Sequence, residues 1–413
     1  VVRDKPVGLM PVATAINRVL ALAIGRQRPE TVALQDADGR VALDDIFAAS
    51  DVPPWDNSAM DGYAVRAVDA VADASLAVSQ RIPAGCSPGP LHPGSAARIF
   101  TGAPLPAGAD SVVMQENTEL IEPFQADREG QVRILQTASK GENVRRCGAD
   151  IARHALLVSR GQRLWPADLG LLASAGVASV TVGRLPTVAL VTSGSELREP
   201  GQDLQAGQIY NSNRYVLQAM LARLGIKAQS VIHLPDSEEQ TRKILQQLSQ
   251  DHDVVISTGG VSVGEEDYMR AVMQKLGQLD IWKLALKPGK PFTLGQINHT
   301  LFFGLPGNPV SAFVTFILLV RPALLAMMGA EQAELPLHRV VAAFEASRSG
   351  ERQEYVRARL SGCDAQRAVE PLDDQSSGVF SSVSRADGLA IIPPHTAVAR
   401  GDTLSFIAFS DIF

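Results

Sequence analysis

The chain has 413 residues, 46% of them apolar and 20% charged, a balance typical of folded globular proteins and far from that of chains that stay unfolded. At roughly 150 residues per domain this length predicts two to four domains, each large enough to bury a core. With 38 Lys and Arg against 44 Asp and Glu the net charge is −6, so the basic footprint of a nucleic-acid binder is missing and no nucleic-acid partner is expected.

The N-terminal stretch Val1-Val2-Arg3-Asp4-Lys5-Pro6 has no apolar core leading to a small-residue cleavage site, which argues against export and for a cytoplasmic location. Residues 9 to 24 place Leu9, Val12, Ile16, Val19 and Leu20 at helical spacing, and residues 40 to 50 repeat the pattern more briefly, so the start reads as helical. From Asp51 to Gly141 the chain is punctuated by Pro53-Pro54, Pro83, Pro88, Pro90, Pro93, Pro104 and Pro106 between short β-branched runs, the texture of a small β-rich domain with functional loops. Residues 144 to 183 return to mixed strand and helix, with a helix over Pro166–Ala175 stopped by Gly176. These residues are expected to rejoin the first segment in space, which makes the β-rich domain an insertion.

Between Leu185 and Ala330, apolar runs at Thr187–Thr192, Lys227–Leu234, Asp253–Ser257 and Leu301–Gly304 alternate with helical patterns at Asn213–Leu224, Asp236–Ser249, Glu265–Leu276 and Pro309–Met328. That alternation predicts a parallel sheet covered on both faces, with ligands outside the carboxyl ends of its strands. After Glu331 strands return at His338–Phe344, Glu354–Leu360, Leu389–Ile392 and Thr403–Phe409. The expected fold class is multidomain α/β plus β. Its parts are a discontinuous N-terminal domain (1–50 and 143–183), an inserted β-rich domain (51–142), a central α/β domain (184–332) and a C-terminal β domain (333–413). The most apolar stretch, Ala312–Val320, is broken by Thr315 and ends at Arg321-Pro322, short of the ~20 residues that cross a bilayer, so no membrane partner is expected. Three cysteines and seven histidines lack zinc-site or redox-pair spacing, which suits reduced thiols and argues against a zinc enzyme.

Five strings carry chemistry. Thr192-Ser193-Gly194-Ser195-Glu196-Leu197 leaves the first strand of the α/β domain with hydroxyls and a carboxylate at its end, although a plain polar turn has the same composition. Ser257-Thr258-Gly259-Gly260-Val261-Ser262-Val263-Gly264-Glu265-Glu266-Asp267 is a glycine-rich exit into a helix. Such an exit is an anion cradle with acids placed to hold Mg²⁺, or else to offset the helix dipole. In Lys283-Leu284-Ala285-Leu286-Lys287-Pro288-Gly289-Lys290 a period of two puts Lys283, Ala285 and Lys287 on one face, and the turn returns Lys290 to the same end. Gly304-Leu305-Pro306-Gly307-Asn308-Pro309-Val310-Ser311 starts the longest helix, with Asn308 as cap, Pro309 at the first position and Ser311 in the first turn. Outside the α/β domain, Pro53-Pro54-Trp55-Asp56-Asn57-Ser58-Ala59-Met60-Asp61-Gly62-Tyr63-Ala64, Phe100-Thr101-Gly102-Ala103-Pro104 and Arg145-Arg146-Cys147-Gly148-Ala149-Asp150 read as recognition loops.

Taken together with GQIYNSN at 207–213, EYVRARL at 354–360 and SSGVFSSVSRADGLAIIP at 376–393, these strings resemble the MoeA/gephyrin E-domain family, the molybdopterin molybdenumtransferases. The resemblance runs from about Ala13 to the C-terminus. It implies four domains, an adenylyltransferase-like α/β domain and a homodimer whose sites use loops of both subunits. A molybdopterin adenylyltransferase and molybdoenzyme-maturation proteins are implied as further partners. The implied reaction takes adenylylated molybdopterin, molybdate and Mg²⁺ to molybdenum cofactor and AMP. By the resemblance, Glu196 and Asp267 hold Mg²⁺ or act at the phosphates, and Asp61, Thr101 and Asp150 come from the second subunit. Asp236 lines the pterin or nucleotide pocket, while Lys283, Lys287, Lys290, Ser262 and Ser311 gather oxyanions. Arg357 and Ser377 reach in from the C-terminal domain, and Ser193, Gly259, Gly260, Pro306, Asn308 and Pro309 complete the substrate-binding set. Ser195 stands where the family often has aspartate, and Trp55 where it often has phenylalanine. Two alternatives compete: a molybdopterin adenylyltransferase using the same α/β module, and a non-enzymatic gephyrin-like scaffold.

Overall fold

The computed structural model describes residues 8–125, 128–234, 237–259, 268–362 and 367–412. Val12–Ala23 is helical, as its spacing predicts, and buries Val12, Ala15, Val19 and Ala23 against the Arg321–Met327 helix of the central domain. Residues 40 to 50 depart from the helical expectation. Val41 and Ala42 bridge Arg163 and Val182, and Ile46–Phe47 pairs with Leu156–Val158. A short apolar run satisfies either period, and here distant strand partners decide the matter. Pro29–Ala33 pairs antiparallel with Ser179–Gly183, so the segments on either side of the insertion are tied together. Their shared core contains Ala37, Ala42, Val158, Leu164, Leu172 and Val182. The insertion between them is a six-stranded sheet in the order 111–114, 62–65, 95–99, 75–82, 130–134, 118–122.

Six strands form the central sheet: β1 (Val188–Ser193), β2 (Ala228–Leu234), β3 (Val254–Thr258), β4 (Gln278–Lys283), β5 (Pro291–Ile297) and β6 (Thr300–Leu305), in spatial order β2-β1-β3-β6-β5-β4. The first four of that order run parallel. β5 is antiparallel to β6, and β4 to β5, so the all-parallel expectation holds for four strands and a hairpin extends the sheet. Alternate residues enter opposite cores: Val188, Leu190, Val254, Ile256 and Phe303 on one face, Ala189, Val191, Val255 and Phe302 on the other. Burial on both faces explains why these strands read as continuous apolar runs. Phe302 and Phe303 alone are worth about 1.5–3 kcal/mol each in burial.

The helix Pro309–Met327 spans 19 residues and is long and apolar enough to cross a membrane, yet its apolar window is wholly buried inside the protein. It widens to a π-helical turn at Phe316–Val320 just before Pro322, where proline has no N–H to continue the ladder. Arg321 is buried there and donates to the Ile412 carbonyl at 2.5 Å and the Ala333 carbonyl at 3.3 Å. Burial, reinforced by Arg163, pushes its guanidinium down to about 10. In the C-terminal domain Gln353–Ser361 pairs with both Ala368–Pro371 and Gly388–Ile392. The ring closes through His338–Ala342 and Thr403–Ala408 into a small barrel. Leu286–Lys287 joins it as an outer strand beside Gln353–Glu354.

Candidate active site

The register of the parallel strands builds the site. Ser193 lies opposite Leu234, Thr192 opposite Thr258, and Thr258 opposite Leu305, so the carboxyl ends of β1, β2, β3 and β6 are level. The turns that follow therefore meet on one edge. Gly259 has φ +80°, and a side-chain carbon there would stand 2.7 Å from the Ser193 carbonyl oxygen and 3.1 Å from its hydroxyl. The corresponding point on Gly307 is 4.0 Å from the Gly259 Cα. Asn213 Nδ2 donates to the Gly307 carbonyl at 2.7 Å. The buried Asn211 caps the 212–223 helix and donates to Thr192 Oγ1 at 3.1 Å. Glu196 is exposed beside these turns, its carboxylate folded back over Gly194.

The lysine string is bent. β4 stops at Lys283, Leu284 N–H donates to the Lys290 carbonyl at 2.7 Å, and Ala285 N–H donates to the Met10 carbonyl at 2.7 Å. Lys283, Lys287 and Lys290 are exposed, whereas Trp282, Leu284 and Leu286 are buried. Ala285 is buried as well, because the strand is interrupted there and does not carry one continuous face. β4 and β6 point the same way, both being antiparallel to β5, which puts Lys283 on the carboxyl edge. Four strand spacings separate β1 from β4, a lateral distance of roughly 19 Å. Lys287 Nζ pairs with Glu354 Oε1 at 3.0 Å, a partner 67 positions away that no local pattern reveals. The turn packs on the helix beyond it, since a side-chain carbon on Gly289 would lie 2.9 Å from Thr315 Cγ2.

Where β6 ends, Pro306 is buried, Gly307 and Asn308 are exposed, and Pro309 opens the helix. Asn308 holds the cap position but makes no capping bond; its Nδ2 donates instead to Ser377 Oγ at 3.0 Å. The Ser377 carbonyl accepts from Val310 N–H at 3.1 Å. Ser311 is 4% exposed and its carbonyl accepts from Thr315 Oγ1, so this first turn is covered rather than open. Arg357 is anchored within its own domain. It is 1% exposed and donates to Ser382 Oγ and to the carbonyls of Asp374 and Ser376 at 3.0–3.2 Å. Burial lowers its guanidinium from the usual value, opposed by Asp374. Arg357 thus holds the loop that presents Ser377.

The recognition loops of the inserted domain form a second cluster. Asp61 Oδ1 accepts from both the N–H and the hydroxyl of Thr101 at 2.8 Å. Those bonds hold its carboxyl below the usual range against slight desolvation, with help from Arg98. Asp56 pairs with Arg146 at 2.7 Å and accepts from Cys147 N–H. Asp150 is exposed and its N–H donates to the Val52 carbonyl at 3.0 Å. Among the described residues, no hydrogen bond or ion pair joins this cluster to the central sheet. Asp236, Gly260, Ser262 and Asp267 lie outside the described residues. Among the described residues no three His, Cys, Asp or Glu side chains gather as a metal cage.

Level strand ends, touching glycine turns and an appended barrel define a multidomain chain with a candidate site at the carboxyl edge of an α/β sheet. The model of a probable molybdopterin binding domain matches residues 189–326, between the MoeA N-terminal region (domain I and II) at 10–176 and the MoeA C-terminal region (domain IV) at 339–409. The molybdopterin molybdenumtransferase of Haemophilus influenzae is 36% identical over 93% of this chain and 94% of its own length. That of Bacillus subtilis is 32% identical over 94% and 91%. The crystal structure of a molybdopterin biosynthesis MoeA protein from Pyrococcus horikoshii superposes with a TM-score of 0.79 at 27% identity, covering 97% of this chain and all of the other. The chain belongs to the MoeA family of molybdopterin molybdenumtransferases.

Proposed function

We propose that the carboxyl edge of the central sheet takes adenylylated molybdopterin and molybdate, and that the chain transfers molybdenum to the pterin dithiolene with release of AMP. The observation that carries this reading is the contact of the Ser193, Gly259 and Gly307 turns. Glycine turns at level strand ends let backbone N–H groups approach phosphate without side-chain obstruction. The pyrophosphate binds there, and an extended substrate spans the edge toward Lys283, Lys287 and Lys290. Molybdate, itself an oxyanion, is drawn to the lysines, with Lys287 exchanging Glu354 for the anion.

Mg²⁺ suits a donor set of one or two carboxylates completed by water and substrate phosphates. The exposed Glu196 and the oxygens of the Ser193 turn match that chemistry, with Asp267 as the second acid. When bound there, Mg²⁺ would supply charge that offsets the repulsion between phosphate and these acids. Asp61, kept ionised by Thr101, and Asp150 act from the other subunit of a homodimer, in keeping with the lack of direct bonds, among the described residues, from their cluster to the sheet of their own chain. The test measures AMP released from adenylylated molybdopterin with and without molybdate and Mg²⁺. Release that responds to both is expected; AMP transfer from ATP to molybdopterin without molybdate would refute the reading.

A further inference from the structure

At the opposite, amino edge of the central sheet lies a second cleft of about 430 Å³, with Arg26, Arg28, Arg184, Asp253 and His299 in its lining. It forms where the Gly25–Arg28 connection passes the starts of β1, β3 and β6, and Arg184 N–H donates to the Arg28 carbonyl at 2.7 Å. Asp253 is already engaged: Oδ2 accepts from Thr187 N–H and Oγ1 at 2.9 Å and from Arg184 at 2.7 Å. Arg28 stands 3.9 Å from Oδ1. Arg26 is fixed by donating to the Leu22 carbonyl at 2.6 Å, to Gln296 Oε1 at 3.1 Å and to the His299 carbonyl. A guanidinium has five N–H donors, so Arg26 keeps two in reserve. Three guanidiniums against one carboxylate leave this cleft two positive charges in excess, in a chain of net charge −6. Burial also disfavours the charged form of Arg26, which Asp253 only partly restores.

We infer that this cleft binds a doubly charged tetrahedral oxyanion, either free phosphate or the phosphate of a nucleoside monophosphate. Guanidiniums recognise phosphate oxygens through paired N–H bonds, and here backbone carbonyls already hold Arg26 in place. The anion would also tie the N-terminal segment to the central sheet.

Calorimetric titration of the full chain at low ionic strength, first with inorganic phosphate and then with AMP, tests the inference. A saturable site is expected, separate from any anion binding at the carboxyl edge and weakened about tenfold or more by Arg28→Gln. That side chain is 64% exposed, so the variant keeps the fold. Lys290→Ala, on the opposite edge, should leave the site intact. AMP binding tighter than phosphate assigns the nucleotide source and equal affinities assign free phosphate, both in support. Equal affinity of wild type and Arg28→Gln, absence of saturable binding into the millimolar range, or loss through Lys290→Ala in place of Arg28→Gln would overturn it. Binding lost through Lys290→Ala alone belongs to the carboxyl edge, so failure of this inference is distinguishable from failure of the transferase reading.

Discussion

Gly259→Ala strikes the contact on which the active-site reading stands. At φ +80° an L-residue pays about 1–2 kcal/mol in backbone strain. The added carbon would stand 2.7 Å from the Ser193 carbonyl oxygen, closer than carbon and oxygen pack, so the β1 and β3 turns must part by several tenths of an ångström. Strain and crowding together cost about 2–3 kcal/mol, a melting-temperature drop of roughly 5 °C for a domain of this size. Gly307→Ala is the control. Its nearest neighbour is 4.0 Å away and its backbone lies outside the left-handed region, so its melting temperature should stay at the wild-type value. Both methyl groups stand where phosphate would approach, and a misplacement of ~1 Å can cost 10²-fold in rate. AMP release should therefore fall at least tenfold in both variants, with thermal melting separating them. Wild-type release by Gly259→Ala, or equal destabilisation by the two substitutions, would refute the geometry.

Four further outcomes follow from the same contacts. Arg357→Lys should lose about 1.5–3 kcal/mol, because one ammonium cannot serve Ser382, Asp374 and Ser376 together; melting should register this, and a raised KM with kcat largely kept would show slackening of the Ser377 loop. Glu354→Gln frees Lys287 from an exposed pair worth about 0–1 kcal/mol, so half-saturating molybdate should fall while Lys287→Ala raises it, both read from AMP-release kinetics. Thr101→Val should move the Asp61 titration up toward the ordinary carboxylate value, followed by carboxyl NMR. Because the Asp61 value is lowered in the fold, its stabilisation is present above the unfolded carboxylate pKa and disappears as pH falls through the lower folded value. Glu196→Ala, at an exposed position, should abolish Mg²⁺-dependent AMP release without shifting the melting temperature.

The long elements were legible because each carries many residues of one period. Val188–Ser193, Val254–Thr258 and Thr300–Leu305 fall within a residue of their apolar runs, and Gly176 does follow the 166–174 helix. Short runs were not: residues 40 to 50 suit a helix locally but pair with 156–163. Arg357 shows a different limit. In the string EYVRARL it reads as a cation at the site, and only the structure shows its burial and its three donated bonds to Ser382, Asp374 and Ser376. Asn213, which grips the Gly307 carbonyl, was visible only as part of the GQIYNSN string.

Periodicity, glycine-proline punctuation and charge balance act through the backbone preferences of neighbouring residues, so the sequence by itself determined the α/β core, the β-rich flanks and the strings that could meet anions. Their mutual placement belongs to tertiary structure. Strand register, a product of side-chain packing on two buried faces, set Ser193, Gly259 and Gly307 side by side and carried Lys283 to the far end of the same edge. The pairing of Lys287 with Glu354 and the gathering of Arg26, Arg28 and Arg184 beneath the sheet likewise depend on contacts between residues far apart along the chain.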